Sequence, residues 1–505
     1  MAPESGDTAR LYHRLTSYEA EREWPLPVPD PRVLQDFVAS DPARVPAPCK
    51  AYPPGLPVRL LPREWPVPAA PATAVLAGRP APPSAAGPPG AARASAALSL
   101  PELARILHLS AGVVRASERH GRRWLFRAAG SAGGRFPLEV HVSARGVPGL
   151  DDGVHWYDPV DHALVRIGPP AGGDATALVV TGVPWRTGWK YAERGFRHVY
   201  WDAGTMLAQT LALAASAGLA PRLWTRFDDA ALARLVGADG VGEFPVAVLG
   251  LAPGAPALVP SGDAVPAIHD PDAIEFPLVT RAQRAGASHA LGAPWPAAAI
   301  AGGEPGAAVA GGGAAADRAP LSPPPSADLD TVILRRGSTR RLDATASLPR
   351  EAFDFLTRTA LGPARVPHFL AVHAVDTLAP GLYRWPDLDR PRRAGDLRER
   401  LYRVCWDQEL GRDASFVAIA AADLARIDDA GYRDAQLEAG LVEGRLHLAA
   451  YALGLGASGM TFLDAEIEPL LGEPLAGLLF TCVGVPTYRH KAGGRPGEPV
   501  TVALP

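Results

Sequence analysis

Two stretches of the chain repeat each other at a constant spacing, and that repeat narrows the possible folds more than composition can. Leu211-Ala212-Leu213-Ala214-Ala215 matches Leu446-His447-Leu448-Ala449-Ala450. At the same offset of 235 residues Phe227, Asp229 and Ala230 fall on Phe462, Asp464 and Ala465, and Leu235 and Gly237 fall on Leu470 and Gly472. Upstream, with a different loop length, Leu98-Ser99-Leu100-Pro101 corresponds to Ala346-Ser347-Leu348-Pro349, and Gly153-Val154-His155-Trp156-Tyr157 to Gly381-Leu382-Tyr383-Arg384-Trp385. Helix-like and strand-like pieces alternate within each copy, so the expected fold class is α+β, with two fused copies of one domain forming an intrachain pseudo-dimer.

The local signals fill in this frame. Ser99 reads as an N-cap with Pro101 in the first turn of a helix running through Leu107. Leu138–Val142, Gly153–Asp158 and Ala177–Val180 read as strands. A stretch from about Ala203 to Gly218 is apolar on nearly all faces and predicts a buried central helix. Residues 1–92 form an extension with a short amphipathic piece at Leu11–Tyr18, and Trp24-Pro25 and Trp65-Pro66 mark extended segments. Pro71 to Ala97 is Ala/Pro/Gly-rich and reads as a linker or disordered loop. The expected domains are 93–253 and 328–505. A Pro/Ala/Gly-rich linker, 254–327, lies between them and contains Gly302-Gly303, Gly311-Gly312-Gly313 and Pro323-Pro324-Pro325.

At 505 residues the chain exceeds one ordinary core. Its 50 basic and 53 acidic side chains give a net charge of -3, which argues against nucleic-acid or membrane-surface binding driven by global charge. Cys49, Cys405 and Cys482 are scattered without CxxC spacing, and the histidines show no metal-ligand clustering, so neither a disulfide framework nor a metal site is expected. The polar N-terminus lacks an apolar signal region and no uncharged apolar run reaches bilayer length, so the expected location is cytoplasmic.

Within this near-neutral chain, Arg335-Arg336-Gly337-Ser338-Thr339-Arg340-Arg341 is a compact cation cluster. Arg336 and Arg340, four apart, would share a face on a helical turn with Ser338 between them, an arrangement suited to a phosphate monoester. Near the C-terminus Arg489–Glu498, with Lys491 and Arg495, again combines cations with glycines. The first copy has neither feature, because Gly87–Arg93 and Leu249–Pro253 stand in those places. Conversely, the first copy carries the small-residue loop Gly130–Pro137, with Ser131, Gly133 and Gly134, where the second has Gly362–Pro367. It also carries Trp189-Lys190-Tyr191, replaced in the second by Ala425-Arg426-Ile427. Each copy keeps what the other lacks, which points to one composite site between them. A phenol beside a lysine can act as a general base or acid, so Lys190 and Tyr191 are the candidate catalytic pair. Gly454–Thr461, with Ala457, Ser458 and Gly459, follows the second buried helix as either a C-cap or a backbone contact to a ring system. No GxGxxG after a strand, Walker loop or GxSxG elbow has its proper context.

These residues resemble the nitroreductase-like flavoproteins, and among them the SagB/ThcOx-type dehydrogenases that oxidise azoline rings in ribosomally made peptides. The resemblance implies a central mixed or antiparallel sheet flanked by helices in each half. It also implies one FMN, its phosphate on Arg336, Ser338 and Arg340, with Lys491 and Arg495 nearby. Ala457, Ser458 and Gly459 would border the ring, and Ser131, Gly133 and Gly134 would complete the site from the other half. Lys190 and Tyr191 would match the Lys-Tyr pair of the azoline enzymes, with Tyr191, assisted by Lys190, taking the α-carbon proton and oxygen reoxidising the flavin. The implied partners are a modified precursor peptide and a cyclodehydratase complex, with the protein a monomeric pseudo-dimer or a homodimer. The rival readings are an NAD(P)H-dependent nitro- or quinone reductase and a non-catalytic peptide-presenting scaffold.

Overall fold

The computed structural model describes residues 6–20, 38–78, 98–119, 121–297 and 325–503. After a first helix, Asp7–Leu15 (α1), come the short strand Val58–Leu60 (β1) and the helix Leu100–Ala111 (α2). α2 starts where the sequence places it. The Ser99 hydroxyl accepts from Glu102 N–H, the Glu102 carboxylate accepts from Ser99 N–H, and Pro101 sits in the first turn. The hairpin Val113–Arg119 (β2) and Arg122–Arg127 (β3) follows, then strands Leu138–Ala144 (β4), Gly153–Asp158 (β5), Ala163–Gly168 (β6) and Ala177–Gly182 (β7). Helices Pro184–Tyr191 (α3) and Gly195–Ser216 (α4), strands Arg222–Trp224 (β8) and Phe244–Gly250 (β9), and helix Pro277–Ala285 (α5) complete the first half.

The second half runs through helices Leu329–Arg335 (α6) and Arg350–Leu361 (α7), then strands His368–Val372 (β10), Gly381–Arg384 (β11), Arg393–Ala394 (β12) and Phe416–Ala422 (β13). The long helix Asp429–Ala452 (α8) and strands Gly456–Met460 (β14), Ala476–Gly484 (β15) and Val500–Thr501 (β16) end the chain. The first sheet has the order β1-β6-β5-β4-β7-β9-β8 and the second the order β12-β11-β10-β13-β15-β14, with every pairing antiparallel. Apart from β1 the two orders are the same topology, which is what the repeated sequence predicts. β4, β7, β9 and β13 are buried along their whole lengths, because helices cover both faces of each sheet.

The halves meet along α4 and α8, and they meet backbone to backbone. A Cβ on Gly440 would strike the Trp201 carbonyl oxygen and come within 2.8 Å of Trp201 Cα. One on Gly204 would strike Leu437 O, and one on Gly444 would lie 2.8 Å from Thr205 O. At this crossing Trp201 Nε1 donates to Gln436 Oε1 at 2.6 Å, and Thr205 Oγ1 donates to Gly440 O at 3.4 Å. Both pairs are separated by 235 residues, the repeat offset itself. Two buried ion pairs run crosswise between the halves, Arg197 to Asp464 at 2.6 Å and Arg433 to Asp229 at 3.0 Å. α4 begins at Gly195 rather than near Ala203, since Arg197 pairs with Asp464 of the other half while His198 stacks on Tyr191 and Asp202 holds Ser131 and Ala132.

Two segments expected to be linkers contribute to the core. Within Pro71–Ala97, Ala72–Leu76 is a short buried helix whose Ala72 N–H donates to Ala327 O; residues 79–97, including Gly87–Arg93, lie outside the described residues. Within 254–327, α5 is followed by a chain that buries Trp295, and Phe276 and Val279 pack inward, while 298–324 lie outside the described residues. Trp24-Pro25 also lies outside them. The α1 segment is clamped to both halves. Tyr12 Oη donates to Glu193 O, and Tyr18 N–H donates to Asp464, which also holds Arg194 and Arg197. No helix among the described residues is long and apolar enough to cross a membrane.

Because the crossing leaves no room for a side chain, Gly440→Ala is expected to destabilise the protein by about 1–3 kcal/mol through overpacking. The urea-unfolding midpoint measures this, and an unchanged midpoint would contradict the packing described.

Candidate active site

The site is built from the loop before β4. Ser131 Oγ donates to Asp202 Oδ2 at 2.5 Å, Ala132 N–H donates to Asp202 Oδ1 at 2.9 Å, and Phe136 N–H donates to Ser131 Oγ at 2.7 Å. Gly133 and Gly134 follow in the left-handed region, at φ 59° and 65°. Gly133 is glycine for a second reason. A Cβ there would lie 2.6 Å from Tyr191 Oη and 2.9 Å from Lys190 Cδ, so loop and Lys-Tyr pair touch. Lys190 and Tyr191 close α3. The Tyr191 ring stacks on buried His198 with centroids 3.9 Å apart.

From the second half comes the cation cluster, but not on a helical turn. α6 ends at Arg335, and Arg336 is already extended (φ −61°, ψ 142°). Thr339 N–H donates to Ala457 O on β14, drawing the segment alongside that strand, so Arg336 and Arg340 do not share a helical face. Arg336 is buried. Its Nη2 donates to Ala128 O of the first half at 2.5 Å, while Nε and Nη1 find no acceptor among the described residues. Ser338 is half-buried beside it and Arg340 is exposed. Arg340 nonetheless acts across the halves, its charge bearing on both Lys190 and Tyr191.

Ala457, Ser458 and Gly459 lie on β14 rather than in a loop, and Gly454 takes the left-handed position after α8. Ala457 and Ser458 are buried, whereas Gly459 is exposed and a Cβ on it would lie 3.1 Å from Glu443 Oε1. Lys491 and Arg495 do not join the cluster. Lys491 Nζ is directed to Thr501 O at 3.4 Å, and the Arg495 side chain is exposed. In that segment it is His490 that reaches the cluster, packed against Gly337 and held neutral with its pKa lowered to about 4 by burial and by Arg115 and Arg336.

Two buried carboxyls near the loop and the cluster were not singled out from the sequence. Asp202 on α4 and Glu443 on α8 are both buried, and Glu443 accepts from Thr205 Oγ1 and lies 3.1 Å from His447 Nδ1. Acidic side chains inside otherwise apolar central helices were the available signal. Burial pushes Asp202 up to about 7, opposed by its bonds to Ser131 and Ala132 and assisted by Glu443.

The electrostatics act in opposite directions on the Lys-Tyr pair. Burial, Tyr18 and Asp202 push the Tyr191 phenol up, outweighing Arg135 and Arg340, so it stays protonated at neutral pH instead of serving as a ready base. Burial, Arg135 and Arg340 push the Lys190 ammonium down, toward the free amine.

The symmetry-equivalent position in the other half is filled. By the repeat offset Trp224, on β8, stands where Gly459 stands on β14, and it is 2% exposed. Trp295 covers that strand, its N–H donating to Leu223 O at 2.7 Å and its indole N–H to Thr225 Oγ1 at 2.8 Å. The Arg365 guanidinium lies 3.7 Å over the indole ring, and Glu438 holds the Arg365–Val366 backbone much as Asp202 holds the Ser131 loop.

No family model matches the chain. A protein of Methanocaldococcus jannaschii described as a nitroreductase is 32% identical over 140 residues, 25% of this chain and 67% of that protein. The chain belongs to the nitroreductase-like family. A solved structure from Anabaena variabilis, also described as a nitroreductase, aligns over 96% of this chain and 100% of its own at 23% identity with a TM-score of 0.65, a likeness in fold that spans both halves. A nitroreductase structure from Ralstonia eutropha aligns over 41% of this chain and 96% of its own at 20% identity, with a TM-score of 0.30. As in other folds, family membership leaves the chemistry to be argued from the site.

Asp202 gives the site a pH signature. Its folded pKa of about 7 exceeds the ordinary carboxylate value of about 3.9. The folded state therefore binds more protons between those values, and this contribution to stability is lost as pH rises through about 7. Asp202→Asn, which keeps the acceptor for Ala132, should flatten the fall in urea midpoint between pH 5 and 7.5 on the order of the midpoint change itself. Parallel curves for wild type and variant would contradict the assignment.

Proposed function

We propose that the protein is an FMN-dependent oxidoreductase that converts azoline rings in a ribosomally made, modified peptide to azoles, at one site shared by two fused halves. The observation that carries this reading is the contact of the Lys190-Tyr191 pair with the Gly133 loop, beside a buried Arg336 whose Nε and Nη1 lack acceptors. The contacts between residues 235 apart are those expected beside a two-fold axis, which supports an intrachain pseudo-dimer of domains 93–253 and 328–505.

The residues present fit FMN. A phosphate dianion would satisfy the free guanidinium edge of Arg336, with Ser338 and Arg340 beside it. Ser131, Gly133, Gly134, Ala457, Ser458 and Gly459 offer small side chains and bare backbone for a flat ring. When bound, FMN supplies the two-electron acceptor that aromatisation of an azoline requires. The protein's own share is proton management and positioning. Lys190 Nζ, its ammonium form disfavoured by burial and by Arg135 and Arg340, takes the α-carbon proton. Tyr191 Oη, kept protonated, donates a hydrogen bond to the ring undergoing oxidation. The half-buried Lys190 then releases its proton to solvent. Trp224 and Trp295 in the equivalent position of the first half support a single flavin per chain.

A second reading, an NAD(P)H-dependent nitro- or quinone reductase, is favoured by the relatives described as nitroreductases. Mass spectrometry of a thiazoline-containing peptide separates the two. Loss of two hydrogens per ring under oxygen supports azoline oxidation, whereas bleaching by NADPH with an unchanged peptide supports the reductase.

Lys190→Ala and Tyr191→Phe should keep the yellow cofactor while lowering turnover by roughly 10²–10⁴-fold, the usual scale for a positioned acid or base. Arg336→Ala should instead yield nearly colourless protein. Colourless Lys190→Ala protein or undiminished rates would contradict these roles.

A further inference from the structure

An open cleft of about 590 Å³, mouth included, runs between the β2–β3 hairpin and the extended segment 45–49. Its lining contains five arginines and no aspartate or glutamate. Two of them, Arg127 and Arg186, share the one buried carboxylate of Glu139, at 3.6 and 2.5 Å. Arg122, Arg123 and Arg135 have no carboxylate partner among the described residues. Arg122 and Arg123 are exposed on β3, an outer strand of the sheet ordered β16-β2-β3, so the backbone edge of β3 away from β2 has no paired strand among the described residues. Arg135 lies at the inner end, held between the Trp124 and Trp189 rings at 4.8 and 4.6 Å. It both lines the cleft and bears on the charge state of Lys190 and Tyr191.

From this juxtaposition we propose that the cleft is a docking site for an extended acidic peptide segment, which pairs as an added strand with the free edge of β3 and sets its carboxylates on Arg122, Arg123 and Arg135. The site rests on the peptide-substrate reading above and specifies which part of a peptide the protein recognises. An unpaired strand edge presents backbone N–H and C=O groups that only another extended chain satisfies in register. Arginine forks at the rim select carboxylates. The cleft leads to the Ser131–Gly134 loop, so a segment bound there places the neighbouring residues of the same peptide beside Lys190. Phosphate-rich polymers would satisfy the arginines but not the strand edge, which separates a peptide from a nucleic acid.

The test uses the full chain with its cofactor and a fluorescein-labelled peptide carrying a run of consecutive Glu, whose carboxylates reach both faces of an added strand, read by fluorescence anisotropy. Binding is expected. The double variant R122E/R123E should weaken it at least tenfold without changing flavin content, because both side chains are exposed. N-methylation of alternate amides should abolish binding in one register and spare it in the other, as strand pairing requires. Unchanged binding by R122E/R123E, equal effects of both methylation registers, or equally tight binding of labelled oligothymidylate would each overturn the proposal. The outcome is separable from the activity. Acidic-peptide binding without azoline oxidation would remove the enzymatic reading and leave the docking site standing. Azoline oxidation by a protein that ignores the acidic peptide would do the reverse.

Discussion

The crossing of α4 and α8 is the constraint on which the remaining structure depends. At Gly204, Gly440 and Gly444 the two helix backbones touch with no side chain between them, and close approach fixes both their separation and their register. The reciprocal pairs Arg197–Asp464 and Arg433–Asp229 lock that register with buried charges, where loss of one partner would cost about 3–5 kcal/mol. Only in this register does Asp202 of one helix face the loop it holds while Glu443 of the other comes near enough to raise its pKa. The candidate site is a property of the crossing and belongs to neither half alone.

The two halves have used the same topology in opposite ways. On one side of the crossing β14 presents Gly459 and the facing loop presents Gly133, leaving bare backbone beside a buried guanidinium with unfilled donors. On the other side β8 presents Trp224, and the connecting segment folds Trp295 over it under the Arg365 guanidinium. A flat indole clamped by a cation thus covers the strand that corresponds, by the repeat offset, to β14. The described part of the Ala/Pro-rich connection is packed structure, with Trp295 covering β8.

Much of this was legible in the sequence, in the places where local rules govern. The N-cap at Ser99, the alternating pattern of β4 and the apolar run of β7 are written locally and form as read. The repeat offset reappears as the spacing between touching residues. The misreadings share one cause, which is tertiary cover invisible to local patterning. The first turns of α4 look too polar for a buried helix until Asp464 of the other half pairs with Arg197 and the Ser131 loop bonds Asp202. Ala72–Leu76 and α5 sit in linker-like composition but bury apolar faces against distant partners. Arg336 and Arg340 have helical spacing, yet a bond from Thr339 to β14 straightens the segment. For Lys190 and Tyr191 adjacency could be read but burial could not, and burial pushes the phenol up and the ammonium down.

The central claim is that two fused halves make one flavin site. It is tested most directly by the flavin-to-chain ratio of purified protein, from the visible spectrum and from FMN released on denaturation. One FMN per chain is expected; two per chain, or none after reconstitution, would rule out a single site shared by the halves.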